Sequence, residues 1–273
     1  MIVIRTCEGL DELEACVQLQ IETWGYSDGD VIPRRAFLVA QSIGGQVIGA
    51  FDTEIPGAAP AGGAESMVGF AFSLPGVKTG HGQPQAYLHS HMLAVRESYR
   101  NRGLGAQLKR EQRLEALSRG IRHMEWTFDP LEIKNAFLNI HKLGAVVSSY
   151  RVNFYGVSSS RLQGGLPTDR LVAEWQLDSP RVEAILEERP AAEYVIEERI
   201  LVPASIYEWK ASAAGRERAL AVQLENRRKF QQAFSKGWAV LGFTRDAEGN
   251  GIFELGPLTQ AGVGLESKER KNL

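Results

Sequence analysis

The chain has 273 residues, 44% of them hydrophobic and 23% charged, a globular composition that excludes a disordered, collagen-like or coiled-coil chain. The 31 Lys and Arg against 33 Asp and Glu leave a net charge of -2, with no bulk attraction to nucleic acid or acidic membranes. Cys7 and Cys16 are too few for a disulfide framework or a zinc site, and Met1-Ile2-Val3-Ile4-Arg5 is not a basic region leading into an apolar stretch, so the expectation is a cytoplasmic protein with reduced thiols, no metal, and no nucleic-acid or membrane partner.

Ile2 to Glu8 is β-branched and alternating enough for a strand, and Leu13, Val17, Ile21 and Trp24 then recur with helical period up to Gly25. Pro33 opens a second short helix with Ala36, Val39, Ala40 and Ile43 on one face, stopped by Gly44-Gly45. Strands are predicted at 46–53 and 67–74, joined by a Gly/Ala/Pro-rich loop, and after a second such stretch at 75–85 a strand is predicted at 87–95. A helix from Gly103 to Arg119, a strand 121–128, a helix through Ala136, Phe137, Ile140 and Leu143, and a strand 145–154 complete the order β-α-α-β-β-β-α-β-α-β. The Ser/Gly-rich stretch 156–169 is the best internal boundary. Beyond it a smaller α/β unit is expected: a strand at 171–177, an extended piece at 194–202, a helix at 215–236 and a hairpin from 238–244 and 252–255. Domains are therefore placed at 1–156 and 157–265, with 266–273 a solvated tail.

The chemistry concentrates where Arg100-x-x-Gly103-x-Gly105 joins an apolar strand to the first turn of an amphipathic helix. The first amides of a helix lack internal partners, the helix dipole is positive there, and glycine lets an anion approach the backbone. Arg100 and Arg102 add charge-assisted bonds, so a diphosphate is the natural ligand. The pattern alone is weak, since both glycines could serve close packing and the arginines a solvated rim; its setting gives it weight. A dinucleotide fingerprint fails on spacing, and no parallel βαβ unit begins the chain.

Together with the strand Glu125-Trp126-Thr127-Phe128 and the helix Asn135-Ala136-Phe137-Leu138-Asn139-Ile140-His141-Lys142-Leu143-Gly144-Ala145, this motif resembles the GNAT superfamily of CoA-dependent N-acyltransferases over about the first 155 residues. The remainder resembles the C-terminal extension of a bacterial GNAT subfamily described mostly as predicted acyltransferases, some of whose relatives are associated with N-acylation of amino acids, including by succinyl-CoA. The resemblance implies an α/β (α+β) fold whose mixed, mostly antiparallel sheet splays two strands apart, plus the smaller C-terminal unit. Acetyl-CoA or another acyl-CoA would be the co-substrate, its pantetheine arm filling the splay against Leu93, Ala94 and Val95. Its diphosphate would sit on the amides of Asn101, Arg102, Gly103, Leu104, Gly105 and Ala106, with Asn135 beside the arm. A backbone N–H near Ala94 would stabilise the oxyanion while a primary amine of a small molecule, an amino acid being one option, attacks in a ternary complex.

The amine must lose a proton and the thiolate must leave. His89 and His91 alternate along the central strand, so both are expected on one face, with Leu93 and Val95; His91 is the preferred base, against the alternative of two core or rim imidazoles. Ile140 stands where many GNAT enzymes carry a tyrosine acid, which leaves His141 nearby and Tyr155 as a substitute, each with a plain structural alternative. Asp28 and Asp30, in the loop joining the first two helices, and Glu54 and Asp129, near strand ends, are candidates for attracting an ammonium group or, equally, turn formers. Lys109, Arg110 and Arg113 read as a solvated helix face. The rival functions are a CoA-sensing module without turnover, motivated by Ile140, and a protein N-acyltransferase. The C-terminal unit has three roles open to it: shaping the acceptor site, forming a homodimer surface, or being a degenerate second copy.

Overall fold

The computed structural model describes residues 1–26, 29–79 and 83–261. One mixed, mostly antiparallel sheet organises them, its ten strands in the order β1-β2-β3-β4-β5-β7-β6-β9-β10-β8. In chain order these are β1 (Ile2–Thr6), β2 (Gln46–Asp52), β3 (Met67–Lys78), β4 (Gln85–Val95), β5 (His123–Phe128), β6 (Val146–Arg151), β7 (Arg170–Gln176), β8 (Glu198–Val202), β9 (Trp238–Arg245) and β10 (Gly251–Pro257). The helices are α1 (Gly9–Trp24), α2 (Arg34–Ser42), α3 (Leu104–Ser118), α4 (Ile133–Ala136), α5 (Pro180–Leu186), α6 (Ile206–Ala211) and α7 (Arg216–Ser235). None of the described helices is long and apolar enough to cross a membrane.

Alternation divides the sheet into two faces. On one, Leu13, Cys16 and Leu19 of α1 and Phe37 and Ala40 of α2 bury Phe51, Phe70, Phe72, Met92 and Ala94. On the other, Leu104 and Leu108 of α3 cover Ile48, Ala50, Val68 and Ala71. A larger core continues on the α3 face through Met124, Trp126 and Trp175 to Phe230, Phe243 and Phe253, so residues from both expected domains share one interior.

The stretch 156–169 marks no break in the sheet. The chain returns after it to insert β7 between β5 and β6, with Phe128↔Leu171 and Val147↔Ala173 among the registered pairs. Residues assigned from sequence to a separate unit are thus a central strand of the same sheet. The expected solvated tail, together with 262–265, lies outside the described residues.

The Gly/Pro-rich stretch 75–85, expected as a loop, is strand at 75–78 and at 85. β3 runs on to Lys78, and Pro75 and Gly76 pair with Leu88 and Tyr87. Pro75 is tolerated because the β2 partnership has ended at Gln46↔Ser73, so its missing N–H faces no neighbour. The helix after β5 also departs from regularity: α4 passes into a π-helical segment, Phe137–Lys142, with Leu143 N donating to Leu138 O at 3.0 Å.

Candidate functional site

Two local features place the site, a register slip in β4 and the loss of pairing between β4 and β5. Phe72 faces Met92 but Ser73 faces Ser90, so His91 is an extra residue in β4. The bulge reverses the side-chain alternation. His89 and His91 lie together, ring centres 5.9 Å apart, and His91 meets Phe72 edge-on at 6.1 Å. Past the bulge Met92 and Ala94 continue on that face, whereas Leu93 and Val95 pack toward α3. The two histidines do share a face, but Leu93 and Val95 lie on the opposite one, because simple alternation cannot foresee the inserted residue.

β4 and β5 are parallel neighbours registered only at Leu88↔Met124 and His89↔Glu125. Beyond that point β4 keeps β3 and β5 keeps β7, but they do not pair with each other. Strand edges inside a sheet carry backbone donors and acceptors that need partners, so this open seam has the chemistry to take an extended amide-bearing ligand.

The helix mouth lies at the wide end of the seam. A 3₁₀ turn, Glu97–Tyr99, leads from β4 to Asn101 at φ 61° and Gly103 at φ 78°, both left-handed, and α3 begins at Leu104. Gln107 N makes the first backbone bond of the helix, to Gly103 O at 3.1 Å, so the amides of Leu104, Gly105 and Ala106 precede the helical ladder. Among the described residues, leaving aside its chain neighbours and the backbone of its own helix, none has an atom within 4 Å of the position a Cβ would take on Gly103, so glycine is needed there for its dihedral. At Gly105 an added Cβ would meet Leu138 at 3.6 Å and Leu93 at 3.7 Å, which puts the first turn between the two sides of the seam. Arg100 Nε donates to Val95 O at 3.0 Å, and Arg102 lies 5.4 Å from the Tyr99 ring centre. Arg100 also lines a cleft of about 220 Å³ with Glu22, Thr23, Glu97 and Leu162. Asn135 is exposed and accepts from Asn139 Nδ2 through its own Oδ1 at 3.1 Å.

On the histidine face, burial holds the His91 imidazole below its ordinary pKa, with His89 adding to the effect. Glu125 is ringed by donors: Lys78 Nζ at 2.5 Å, His123 Nε2 at 3.7 Å and His89 Nδ1 at 4.0 Å. Burial alone would raise its carboxyl, but hydrogen bonds from His123, His89 and Lys78 outweigh that and hold it far below the usual carboxylate range. His123, Glu125 and Glu174 bring three potential metal-ligand atoms within 4.8 Å of one another. The Lys78 ammonium, 2.8 Å from His123 Nε2, already supplies the positive charge among them.

Tyr155 is 44% exposed rather than buried in a core. It lies in the turn after β6, its hydroxyl 2.8 Å from Thr127 Oγ1 of β5 and its ring under the Arg170 guanidinium at 5.2 Å. Since Glu125 and Thr127 share a face of β5, the structure brings His89, His91 and Tyr155 to the same side of the sheet, around the open seam. His141 goes elsewhere. It stacks on Phe137 at 4.4 Å in a cleft of about 470 Å³ with Thr244, Arg245 and Asp246. Ile140 is core.

Of the carboxylates considered for an ammonium group, Asp129 is bonded to Lys210 at 2.9 Å, Glu54 pairs with the chain's amino terminus at 3.1 Å, and Asp30 accepts from Ser159 N at 2.8 Å. Asp28 lies outside the described residues. Lys109 is not part of a solvated face. It is 2% exposed and sits against Trp126. Sequence reasoning missed Glu125, Lys78, His123, Lys109 and Gln112. The last two had a signal, since they fall on the stripe Leu104, Leu108, Ala116 that the helix must bury.

No protein-family model matches the chain, and no curated protein matches it in sequence. Among solved structures, it is similar to a putative GNAT-family acetyltransferase from Desulfovibrio desulfuricans, with 12% identity over 65% of this chain and 99% of that one and a TM-score of 0.47. It is also similar to the ribosomal-protein-S18-alanine N-acetyltransferase of Escherichia coli, with 15% identity over 71% and 99% and a TM-score of 0.46. A putative acetyltransferase from Salmonella typhimurium, solved with its cofactor acetyl-CoA, gives 17% identity over 65% and 95% and a TM-score of 0.47.

Proposed function

We propose that the chain is a GNAT-type acyltransferase that moves an acyl group from CoA to a primary amine of a small molecule. The observation that carries this is the β4–β5 seam, open in mid-sheet and ending beside the unladdered amides and left-handed glycine of α3. A diphosphate fits the mouth, with Arg100 and Arg102 at its rim, and a pantetheine arm fits the seam along Leu93, Ala94 and Val95. Asn101 to Ala106 form the cradle, and Asn135 stands on the helix across the seam.

The thioester then reaches the bulge at His91, where the amine approaches from the histidine face. His91, kept neutral by burial, takes the proton from the acceptor's ammonium group directly or through water, so that the free amine attacks, and His89 stands beside it. A backbone N–H after the bulge stabilises the oxyanion. The nitrogen–carbon bond forms, the carbon–sulfur bond breaks, and the thiolate, with a pKa of about 8.5 in a free thiol, leaves with little assistance. The Tyr155 hydroxyl, bonded to Thr127 on this rim, can protonate it.

Titration calorimetry with CoA, followed by free-thiol release from acetyl- and succinyl-CoA against a panel of amines, tests the proposal. Binding with thiol release that depends on the amine supports it; absence of CoA binding refutes it. Tight binding without release from any donor would favour a sensing module, for which Ile140 in place of a tyrosine is the specific motive.

A further inference from the structure

A cleft of about 470 Å³, which the transfer chemistry leaves unused, lies between the π-helical segment Phe137–Lys142 and the β9–β10 hairpin. Phe137 and His141 form one wall, their rings stacked at 4.4 Å; the end of β9 and the turn after it, with Arg245 and Asp246, form the other. The Arg245 guanidinium lies 4.8 Å from the Phe137 ring centre and the Lys142 ammonium 6.0 Å from it. The hairpin is fixed in place. Asn250 donates from N and from Nδ2 to the Asp246 carboxylate, both at 2.8 Å, and its Oδ1 accepts from Ala204 N at 2.8 Å. A Cβ on Gly251 would meet Ile133 of α4 at 3.1 Å, so the hairpin and that helix are in close contact.

The cleft is aromatic on one side and cationic around it. Burial lowers the His141 imidazole from its ordinary pKa, and the neighbouring charges of Lys142 and Arg245 lower it further. Asp246 has both carboxylate oxygens taken by Asn250, and Arg245 has no carboxylate partner among the described residues. Such a site suits a planar ring that carries a phosphate, with the ring against the aromatic pair and the phosphate on the cations. It also adjoins the α3 mouth. Leu138, next to Phe137, is 3.6 Å from the position of a Cβ on Gly105, and Lys142 follows Leu138 by the four-residue spacing that stacks His141 on Phe137.

We propose, on the basis of the acyl-CoA function above, that this cleft takes the 3′-phosphoadenosine end of the donor, so that the protein selects CoA thioesters over thioesters of phosphopantetheine alone. With the diphosphate on the α3 amides, the nucleotide crosses the π segment past Lys142, its purine lies along Phe137 and His141, and its 3′-phosphate meets Arg245. The β9–β10 hairpin thereby gives the C-terminal half a part in holding the donor, different from the three roles its sequence left open. No bond is made or broken in the cleft; it adds affinity and selects the carrier, while the thioester reacts at the bulge.

The test is calorimetry with CoA, 3′-dephospho-CoA, 4′-phosphopantetheine and adenosine 3′,5′-bisphosphate, so that neither acyl group nor acceptor need be known. The wild-type protein is expected to bind 3′-dephospho-CoA about tenfold, and 4′-phosphopantetheine about a hundredfold, more weakly than CoA, and CoA should displace the bisphosphate. Arg245→Met should bring CoA down to the affinity of 3′-dephospho-CoA, and His141→Ala should weaken the bisphosphate several-fold, with thermal melts reporting whether each variant is folded. If CoA binds but 3′-dephospho-CoA binds equally well, or the gap persists in a folded Arg245→Met, the cleft is refuted and the acyl-CoA function stands. If the bisphosphate and CoA bind side by side, the cleft serves a separate nucleotide, which also overturns the proposal. If CoA does not bind, that function falls first and this subsite with it.

Discussion

The sheet has two thin seams, and the protein treats them differently. Between β6 and β9 the registered pairing is a single bridge, Val147↔Val240, yet side chains close that junction. Arg181 Nε donates to Gly144 O at 3.1 Å and its Nη2 to Leu241 O, while Phe230 of α7 stacks on Tyr150 of β6 and meets Phe253 of β10 edge-on. Nearby, Arg227 grips Asp169, and Lys210 spans Asp129 and Glu132. Between β4 and β5, by contrast, the pairing stops after two residues, and a glycine helix mouth stands at the wide end, where a Cβ on Gly103 would meet none of the described residues beyond its chain neighbours and own helix. Where the chain fills a seam with its own side chains, the seam belongs to stability. On the function proposed above, the one left open is kept for a ligand.

The largest expected effect breaks the ligand side of this contrast. Gly103→Glu puts a carboxylate into the space before the α3 amides and forces a left-handed backbone on a residue with a Cβ, so CoA affinity should fall about a thousandfold. Calorimetry beside a thermal melt checks it; affinity within a few-fold of wild type would move the cradle elsewhere.

Next, Arg181→Met should act only on the filled seam. It strands the carbonyls of Gly144 and Leu241 and should cost about 3 kcal/mol of unfolding free energy in urea, while the CoA affinity of the folded protein holds. A parallel loss of CoA affinity would mean that the two seams are coupled.

His91→Ala sharpens the chemistry. Turnover should drop about a hundredfold, and the ascending limb of the pH–rate profile, whose midpoint lies below the ordinary imidazole value of about 6.5, should disappear. The sign for stability follows from the same shift. With a depressed folded pKa, His91 takes up a proton more readily in the unfolded chain, so it destabilises the fold as pH drops below about 6.5, and the alanine variant should lose that component. The smallest effect is expected from Tyr155→Phe, a reduction in kcat of less than about tenfold, because the thiolate can leave unaided. A far larger loss would make this hydroxyl the principal acid.

Much of the molecule was legible from local pattern. The alternation of β4, the glycine motif and the amphipathic α3 lie within one short stretch, and helical or strand period is a property of neighbours in sequence. Insertion of β7 between β5 and β6 was not legible, since it depends on which distant strands pair. Nor was the exchange of faces after His91, where one inserted residue cancels the alternation on which the expectation rested. Lys109 was misread because a charged residue on an amphipathic helix ordinarily faces water; here its position on the buried stripe outweighed its type. The Lys78, His123 and Glu125 cluster is assembled from two strands far apart in sequence, β3 and β5, and had no compact sequence signature.

Asp30, just after α1, accepts hydrogen bonds from both the backbone N–H and the hydroxyl of Ser159, in the segment that follows β6. Two surface loops from opposite halves of the chain are thereby knotted over one carboxylate. Neither can be lengthened or re-cut alone without tugging on the other, so any descendant that changes what it accommodates by redesigning one must redesign both in concert.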